Sequence, residues 1–304
     1  MNTKSIGSAI KGVNWWHLVF LVLASLSLSG FNASAQIVAD FNDGNNTTTA
    51  DGYTGAALGG WTHPWATTDL TNMTLTGTVT NTTPLNGGGN YLSLTSTATA
   101  AGQSYLYRSF ATSGADSVSV TQPLQYTWDF SAASFNSATT YNFFDLTGTS
   151  AGGTGGNETW IIQILGTEIA YGAGNGSGGV SDVNTGLTAT ANDVYQFTVT
   201  SNPTNDTYTL TIHDLTSGSV YTSPTAVDYR YDATDTDGSI LEYGTVTSAA
   251  VTDDWSLDSI SISALAVPEP SSLFYLFVGG ILLLGFVFKR GKNGALRTAN
   301  PSSI

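Results

Sequence analysis

Residues 36–266 alternate apolar and polar side chains with a period of two. The alternation is clear at residues 195–199 and resumes at 208–212, after a turn rich in Asn, Asp and Pro. Two such runs joined by a turn predict an antiparallel hairpin. A third run, at residues 124–130, predicts another strand with one apolar face.

Threonine, valine and aromatic residues favour strands elsewhere in the same region. The further strands are predicted at residues 37–41, 73–79, 91–95, 105–110, 118–121, 141–146, 160–165 and 255–264. Two glycine-rich stretches, residues 148–156 and 172–186, are predicted to be long loops, because glycine weakens strand interiors. Ten or more short strands without helices between them predict an all-β fold, with two packed antiparallel sheets favoured.

The N-terminus has the three parts of a secretory signal peptide. Residues 1–14 contain two lysines and no acidic residue, and an apolar run follows at 18–28. Ala33 and Ala35 then supply the small residues that a signal peptidase requires, which predicts cleavage after Ala35. The apolar run is too short to span a bilayer, so a second membrane anchor is disfavoured.

Near the C-terminus, residues 271–288 contain no charged side chain. As a helix they would be about 27 Å long, close to the ~30 Å hydrocarbon core of a bilayer, which predicts one transmembrane helix. Lys289 and Arg290 follow directly, so the positive-inside rule places residues 293–304 in the cytoplasm. This assignment leaves residues 36–266 as a single ectodomain.

Pro268, Glu269 and Pro270, followed by this helix and its basic pair, resemble the PEP-CTERM sorting signal over residues 267–292. The resemblance implies that exosortase, an integral-membrane cysteine protease, recognises the signal and removes the tail. It also implies a Gram-negative bacterium that makes exopolysaccharide. We therefore expect export through the inner membrane, temporary anchoring there, and a final place at the cell surface or outside the cell. Residues 291–304 continue further past the basic pair than is usual in that family.

The first and last predicted strands of the ectodomain, residues 37–41 and 255–264, resemble the terminal strands of concanavalin A-like jelly rolls. In that fold the two terminal strands are neighbours. The likeness lies in pattern and length, and it implies a two-sheet antiparallel β-sandwich for residues 36–266.

The charge of the ectodomain is strongly one-sided. Arg108 and Arg230 oppose 21 acidic residues, a formal charge of −19, and residues 36–266 contain neither lysine nor cysteine. Nucleic acids need basic surfaces, so we expect no nucleic-acid partner. The absence of lysine and cysteine excludes Schiff-base and thiol nucleophiles in this region.

Catalytic patterns are also missing from the sequence. Glu158, Glu168 and Glu242 do not stand in the Glu-x-Asp-x-x-Glu arrangement of glycoside hydrolases with related folds. His63 and His213, without any cysteine, give no zinc spacing. We therefore expect neither enzymatic activity nor a required cofactor, and polysaccharide cleavage is the least favoured alternative.

Trp61, His63 and Trp65 form a candidate glycan-binding loop, because aromatic rings can stack on sugar rings. The alternative, which is favoured for His63, is a loop packed on the core. Exposure is more credible for Trp61 and Trp65, because they lie in a loop region. For the tryptophans in strand patterns, core packing is the stronger interpretation: Trp128, Trp160 and Trp255.

Asp232, Asp235 and Asp237 form a candidate calcium site within the acidic stretch 228–242. Residues 235–238 match part of an EF-hand loop, but its first aspartate and its last glutamate are missing. The alternative is a solvated acidic turn, because turns also favour aspartate and glycine.

Two functional classes stay open. The first is a structural or adhesive protein of the cell envelope or extracellular matrix that associates with exopolysaccharide. The second is a lectin-like module that binds carbohydrate, with calcium as an optional aid. A smooth Thr/Ser face without a cleft would favour the first class, whereas a row of exposed aromatics with nearby carboxylates on a concave sheet would favour the second.

Overall fold

The computed structural model describes residues 36–265 except 46–47, 56–58, 83–84, 86–88, 115, 148–157 and 232–236. The predicted signal peptide, sorting signal, membrane helix and cytoplasmic tail lie outside these residues. Within the described ranges, no helix is long and apolar enough to cross a membrane.

The described chain is built from β-strands, and no helix occurs among its named elements. The strands are β1 (Gln36–Ala39), β2 (Ala66–Leu70), β3 (Met73–Thr80), β4 (Tyr91–Ala98), β5 (Gly102–Ser109), β6 (Leu124–Ala132), β7 (Thr139–Leu146), β8 (Glu158–Leu165), β9 (Glu168–Gly174), β10 (Val180–Thr188), β11 (Tyr195–Asn202), β12 (Thr207–Asp214), β13 (Val220–Thr222), β14 (Val227–Asp228), β15 (Ile240–Thr247) and β16 (Val251–Ala264).

The strands form two antiparallel sheets that pack face to face. One has nine strands in the order β13-β12-β11-β6-β16-β4-β3, with β1 on β16 and β14 on β12. The other has seven strands in the order β10-β9-β8-β7-β15-β5-β2. The all-β, two-sheet antiparallel prediction is confirmed. The first and last strands are neighbours, with Gln36 opposite Ser263.

The predicted hairpin is present as β11 and β12, which pair from Tyr195 and Asp214 to Asn202 and Thr207. Residues 118–121, which we expected to be a strand, instead form a turn region in which Val118 is buried. The apolar side chain at this position packs into the core without any sheet partner.

The expected loop at residues 172–186 is wrong, because these residues mostly lie in the β9–β10 hairpin. Gly172 is needed there for packing: a Cβ atom on it would lie 2.2 Å from Cγ2 of Ile161 on β8. The other expected loop, residues 148–156, lies outside the described residues.

Aromatic rings fill the middle of the space between the sheets. Trp128 of the nine-stranded sheet stacks on Phe197 beside it at 5.2 Å and on Trp160 of the opposite sheet at 5.7 Å between ring centroids. Trp128, Trp160 and Trp255 are all fully buried, which confirms their predicted core packing. Burial of rings of this size contributes much of the free energy of folding.

A buried group of carboxylates and hydroxyls, which we call the acid cluster, lies at one end of this core. It consists of Tyr126, Asp145, Ser201, Tyr229 and Asp237. The hydroxyls of Ser201 and Tyr229 donate to Asp237, and the Tyr126 hydroxyl donates to Asp145 at 3.4 Å. Because Tyr126 and Ser201 belong to the nine-stranded sheet and Asp145 to the other, these bonds join the sheets.

A second buried polar group, which we call the hydroxyl cluster, joins the same sheets near the opposite ends of β7 and β15. Its members are Ser96, Ser104, Thr245 and Trp255. The Ser96 hydroxyl accepts from Thr245 at 2.8 Å and from the Trp255 ring nitrogen at 3.0 Å. These groups are all neutral.

Candidate functional site

The outer face of the nine-stranded sheet carries hydroxyl side chains in register across neighbouring strands. One row crosses β13, β12, β11, β6 and β16 at Thr222, Thr211, Thr198, Thr127 and Ser261. A parallel row crosses β12, β11, β6 and β16 at Thr209, Thr200, Gln125 and Ser263. We call these nine residues the hydroxyl face. Strand pairs stand ~4.8 Å apart, so the longer row extends over about 19 Å.

The hydroxyl face is neutral and open to hydrogen bonding. All nine residues are half-buried or exposed, whereas the residues that alternate with them, such as Phe197 and Leu210, are buried in the core. The hydroxyl oxygens of Thr211 and Thr222 lie 3.4 Å apart and form a hydrogen bond. For the other seven side chains, no protein hydrogen-bond partner is found among the described residues. Their donors and acceptors therefore face solvent or a partner.

The outer face of the seven-stranded sheet has a different character. A second apolar cluster lies on it, made of Tyr105, Phe144, Leu146, Ile161 and Ile240, all at most 4% exposed. Glu158 and Glu242 on the same sheet are also buried. Among the described residues, the exposed large apolar side chains are valines, Val38, Val180 and Val220. No row of exposed aromatic rings is therefore present in the described part of this face.

A pocket of about 270 Å³ lies where the hydroxyl face ends. Strand β1 continues both rows, since Val38 pairs with Ser261 and Gln36 pairs with Ser263, and both β1 residues line the pocket. The further wall is formed by residues 39–41, 43, 53–55 and 59 and by Arg108. We call this cavity the arginine pocket.

Arg108 projects inward from β5 and is 2% exposed. Its guanidinium lies over the rings of Trp61 and Trp65, at 4.8 and 5.7 Å from their centroids. Nε donates to the His63 carbonyl at 2.8 Å and Nη2 donates to the Thr54 carbonyl at 2.6 Å. Burial lowers the pKa of Arg108 to about 10, so it remains a cation at neutral pH.

The opening of the pocket is acidic. Asp40 and Asp43 line it and are exposed. The Tyr53 hydroxyl lies close by, and burial together with Asp43 and Asp40 raises the pKa of Tyr53. The pocket therefore combines a buried cation with hydrogen-bond acceptors at its mouth.

The exposure predicted for Trp61 and Trp65 is wrong, since they are 2% and 0% exposed. Their rings pack on each other at 5.6 Å and hold the Arg108 guanidinium, so they cannot stack on a sugar from outside. His63 is exposed, and its Nδ1 forms a hydrogen bond with the Thr62 hydroxyl at 2.9 Å. The loop is thus anchored on the core, as in the alternative interpretation.

Asp237 does not lie on a solvated turn, because it is 3% exposed within the acid cluster. Both of its carboxylate oxygens accept hydrogen bonds there. Asp232 and Asp235 lie outside the described residues, so their ligation of calcium stays a prediction. Within the described ranges, no group of three or more acidic or histidine side chains is arranged to hold a metal ion.

Sequence reasoning missed both the hydroxyl face and the arginine pocket. The threonine alternation in β11 and β12 was visible, but its alignment with Thr127 and Ser261 depends on strand order. Arg108 was visible as one of two arginines in a very acidic ectodomain. That scarcity was the signal that could have marked it.

Comparisons with known proteins find only distant structural likenesses. No family model and no curated protein matches the chain. A protein of unknown function from Shewanella oneidensis MR-1 is 16% identical, with a TM-score of 0.46 over 84% of this chain and 96% of that one. A PL-14 alginate lyase from Aplysia kurodai is 10% identical, with a TM-score of 0.46 over 62% and 87%.

Arcelin-5, a lectin-like defence protein from Phaseolus vulgaris, is 11% identical, with a TM-score of 0.39 over 67% of this chain and 99% of that one. Identities this low, with TM-scores below 0.5, assign no activity and no ligand to this chain.

Proposed function

We propose that this protein is an exported structural or adhesive component of the bacterial cell envelope or extracellular matrix, and that it associates with exopolysaccharide through the hydroxyl face. The observation that carries this proposal is the in-register array of hydroxyl and amide side chains across five strands. Polysaccharides present many hydroxyls, and each hydrogen bond between hydroxyls is worth only ~1 kcal/mol net. A repeated array can still hold a long chain by many weak contacts.

The charge distribution supports the same assignment. The ectodomain has a formal charge of −19, which keeps copies of the protein apart and in solution. Within the hydroxyl face itself no side chain is charged, so a neutral or acidic polysaccharide meets least repulsion there. The buried aromatic residues of the opposite sheet argue against a lectin of the exposed-aromatic kind.

Export and processing belong to the proposal through the resemblance to PEP-CTERM proteins. The signal peptide directs the chain through the inner membrane, the helix at 271–288 holds it there, and exosortase releases it at the motif formed by Pro268, Glu269 and Pro270. The two-sheet fold is proposed to be a jelly roll of the concanavalin A-like kind, supported by the pairing of its first and last strands.

The experiment compares secreted wild-type protein with the Thr198→Glu variant in a Gram-negative host that makes exosortase and exopolysaccharide. The wild type should co-purify with the polysaccharide, whereas Thr198→Glu places a charge in the middle of the longer row and should release most of the protein. Thr188→Glu is the matched control, because Thr188 is exposed on the other sheet. Intact mass of the same material should start near Gln36 and end near Pro268.

Equal retention of all three proteins on the polysaccharide would contradict the role of the hydroxyl face. A released protein that still contains residues 274–288 would contradict the processing step alone.

A further inference from the structure

The arginine pocket has a chemical composition that the association with exopolysaccharide does not by itself require. Arg108 is deeply buried and yet has no carboxylate partner among the described residues. In the described part of the chain, the salt bridge that is found belongs to the other arginine, Arg230, whose Nη1 lies 3.2 Å from Oε1 of Glu158. A buried cation without an anion is costly, because burial removes its hydration without a compensating charge.

The hydrogen bonds that Arg108 forms with other described residues do not use all of the N–H donors of its guanidinium. A guanidinium has five N–H donors, and two backbone carbonyls accept from Nε and Nη2. No hydrogen bond from Nη1 to another described residue is found. Arg108 lines the cavity, so these remaining donors are available to a group that enters it.

We propose that the arginine pocket binds the carboxylate of a sugar acid, a uronic acid residue of an acidic polysaccharide. The carboxylate would accept from the Arg108 guanidinium, whose planar fork of donors matches its geometry. The ring hydroxyls of the same residue would donate to Asp40 and Asp43 at the mouth.

The two acidic residues at the mouth of the pocket make it selective for a uronate over other anions. Asp40 and Asp43 repel a dianion such as phosphate more strongly than a carboxylate with a single charge. Phosphate also lacks the several hydroxyl donors that these two acceptors can use. A volume of about 270 Å³ is below the ~300–1,000 Å³ of sites for drug-sized ligands, so the pocket suits one sugar unit.

The position of the pocket connects it with the hydroxyl face. Both hydroxyl rows end on β1 at Val38 and Gln36, which line the pocket. From Thr222 to Val38 there are five strand spacings, or about 24 Å. A polysaccharide chain lying along the rows would therefore bring one of its units to the arginine. In this respect the inference rests on the proposed function, and it names the polysaccharide as one that contains uronic acid.

The test measures binding of D-glucuronate to the full chain in detergent by calorimetry or ligand-observed NMR, with D-glucose and inorganic phosphate as the comparison probes. Glucuronate should bind at least about tenfold more tightly than glucose, as expected when one charge-assisted pair is lost. Equal binding of glucose, tighter binding of phosphate, or no binding of glucuronate would each overturn the proposal.

Two variants locate the site. Val38→Glu adds an acidic group at the pocket on a side chain that is 46% exposed, and it should weaken glucuronate binding about tenfold or more without disturbing the core. Val180→Glu makes the same change on the other sheet, where valine is 37% exposed, and should bind as the wild type does. Identical binding by both variants would overturn the assignment to this pocket.

Arg108→Gln tests the cation itself, with Arg230→Gln as the control for loss of an arginine elsewhere. Arg108 also packs on two tryptophans, so this variant can fail to fold, and Val38→Glu then decides whether the pocket is the binding site.

The proposal for the pocket and the proposal for the hydroxyl face can be contradicted separately. Loss of polysaccharide association in Thr198→Glu, together with absence of glucuronate binding in the wild type, would overturn the pocket alone.

Discussion

The acid cluster and the hydroxyl cluster occupy opposite ends of the same core and join the same two sheets, yet only one of them can change its charge. In the hydroxyl cluster, Ser96 accepts from Thr245 and Trp255, and every group is neutral. In the acid cluster, Asp145 and Asp237 lie buried near each other, and one oxygen of Asp145, Oδ1, has no hydrogen-bond partner among the described residues. Inter-sheet contacts of similar geometry thus respond differently to pH.

The cause of this difference is the cost of a buried charge. Burial raises the pKa of Asp237 to about 6, while the hydroxyls of Ser201 and Tyr229 lower it in part by donating to the carboxylate. Burial also raises the pKa of Asp145, and the neighbouring Asp237 raises it further. The pair is therefore most stable when protons remain in the cluster.

The largest expected effect is a loss of stability as pH rises. Below about pH 4 the Asp237 carboxyl is protonated in the folded and the unfolded chain. Between about pH 4 and pH 6 only the unfolded chain releases this proton, so the free energy of unfolding falls, by up to ~3 kcal/mol for Asp237 alone. Denaturant unfolding of the full chain, followed by tryptophan fluorescence at several pH values, measures this slope.

Asp237→Asn is the matched control for the slope, because it keeps the size of the side chain and removes the titration. It should make the pH dependence shallower in this interval, while Asp145, whose pKa burial also raises, keeps its own share of the slope. A wild-type protein whose stability rises between about pH 4 and pH 7 would contradict the assignment.

The second effect separates the two ionisation states of the acid cluster. Ser201→Ala removes one donor to Asp237 and should destabilise the protein by about 1–3 kcal/mol above pH 7, where the carboxylate is charged. Near pH 5 the loss should be smaller, because a protonated carboxyl depends less on that donor. Unfolding free energies at the two pH values test this, and an equal loss at both would contradict it.

The smallest effect is expected in the hydroxyl cluster. Ser96→Ala removes the acceptor of the Trp255 ring nitrogen and one of the partners of the Thr245 hydroxyl, which also lies 3.4 Å from the Ser104 hydroxyl, and should cost about 1–2 kcal/mol. No member of this cluster titrates, so the loss should be the same at pH 5 and pH 8. A loss that changes with pH would show that the two clusters are coupled through the core.

Alternation in the sequence predicted strands most directly where one face lies in the core and the other in solvent. The alternation at 124–130, 195–199 and 208–212 located β6, β11 and β12 correctly. Nearly every side chain in β15 (Ile240–Thr247) is buried, so no alternation marked it. Strands β7 and β8 are nearly as buried, but their runs of aromatic and β-branched residues still predicted them. Strands β9 and β10 were missed because they contain glycine and other small residues. Such a composition is also typical of loops.

The candidate site was less predictable than the fold, because both of its parts depend on register. Thr127 and Ser261 are distant in sequence, and only the pairing of β6 with β16 sets them side by side. The burial of Trp61 and Trp65 likewise depends on residues distant in sequence, since Trp61 packs on Phe110 and Trp65 packs on Tyr243. Composition alone could indicate neither arrangement.

The pairing of β16 has a mechanical consequence. This strand runs for 14 residues and is hydrogen-bonded to β6 on one side and to β4 and β1 on the other. Hydrogen bonds in antiparallel sheets lie perpendicular to the strands, so tension along β16 loads its ladders in shear. Many bonds must then break together, whereas a strand peeled from an edge loses them one at a time. A force applied along β16 is therefore resisted by many hydrogen bonds at the same time.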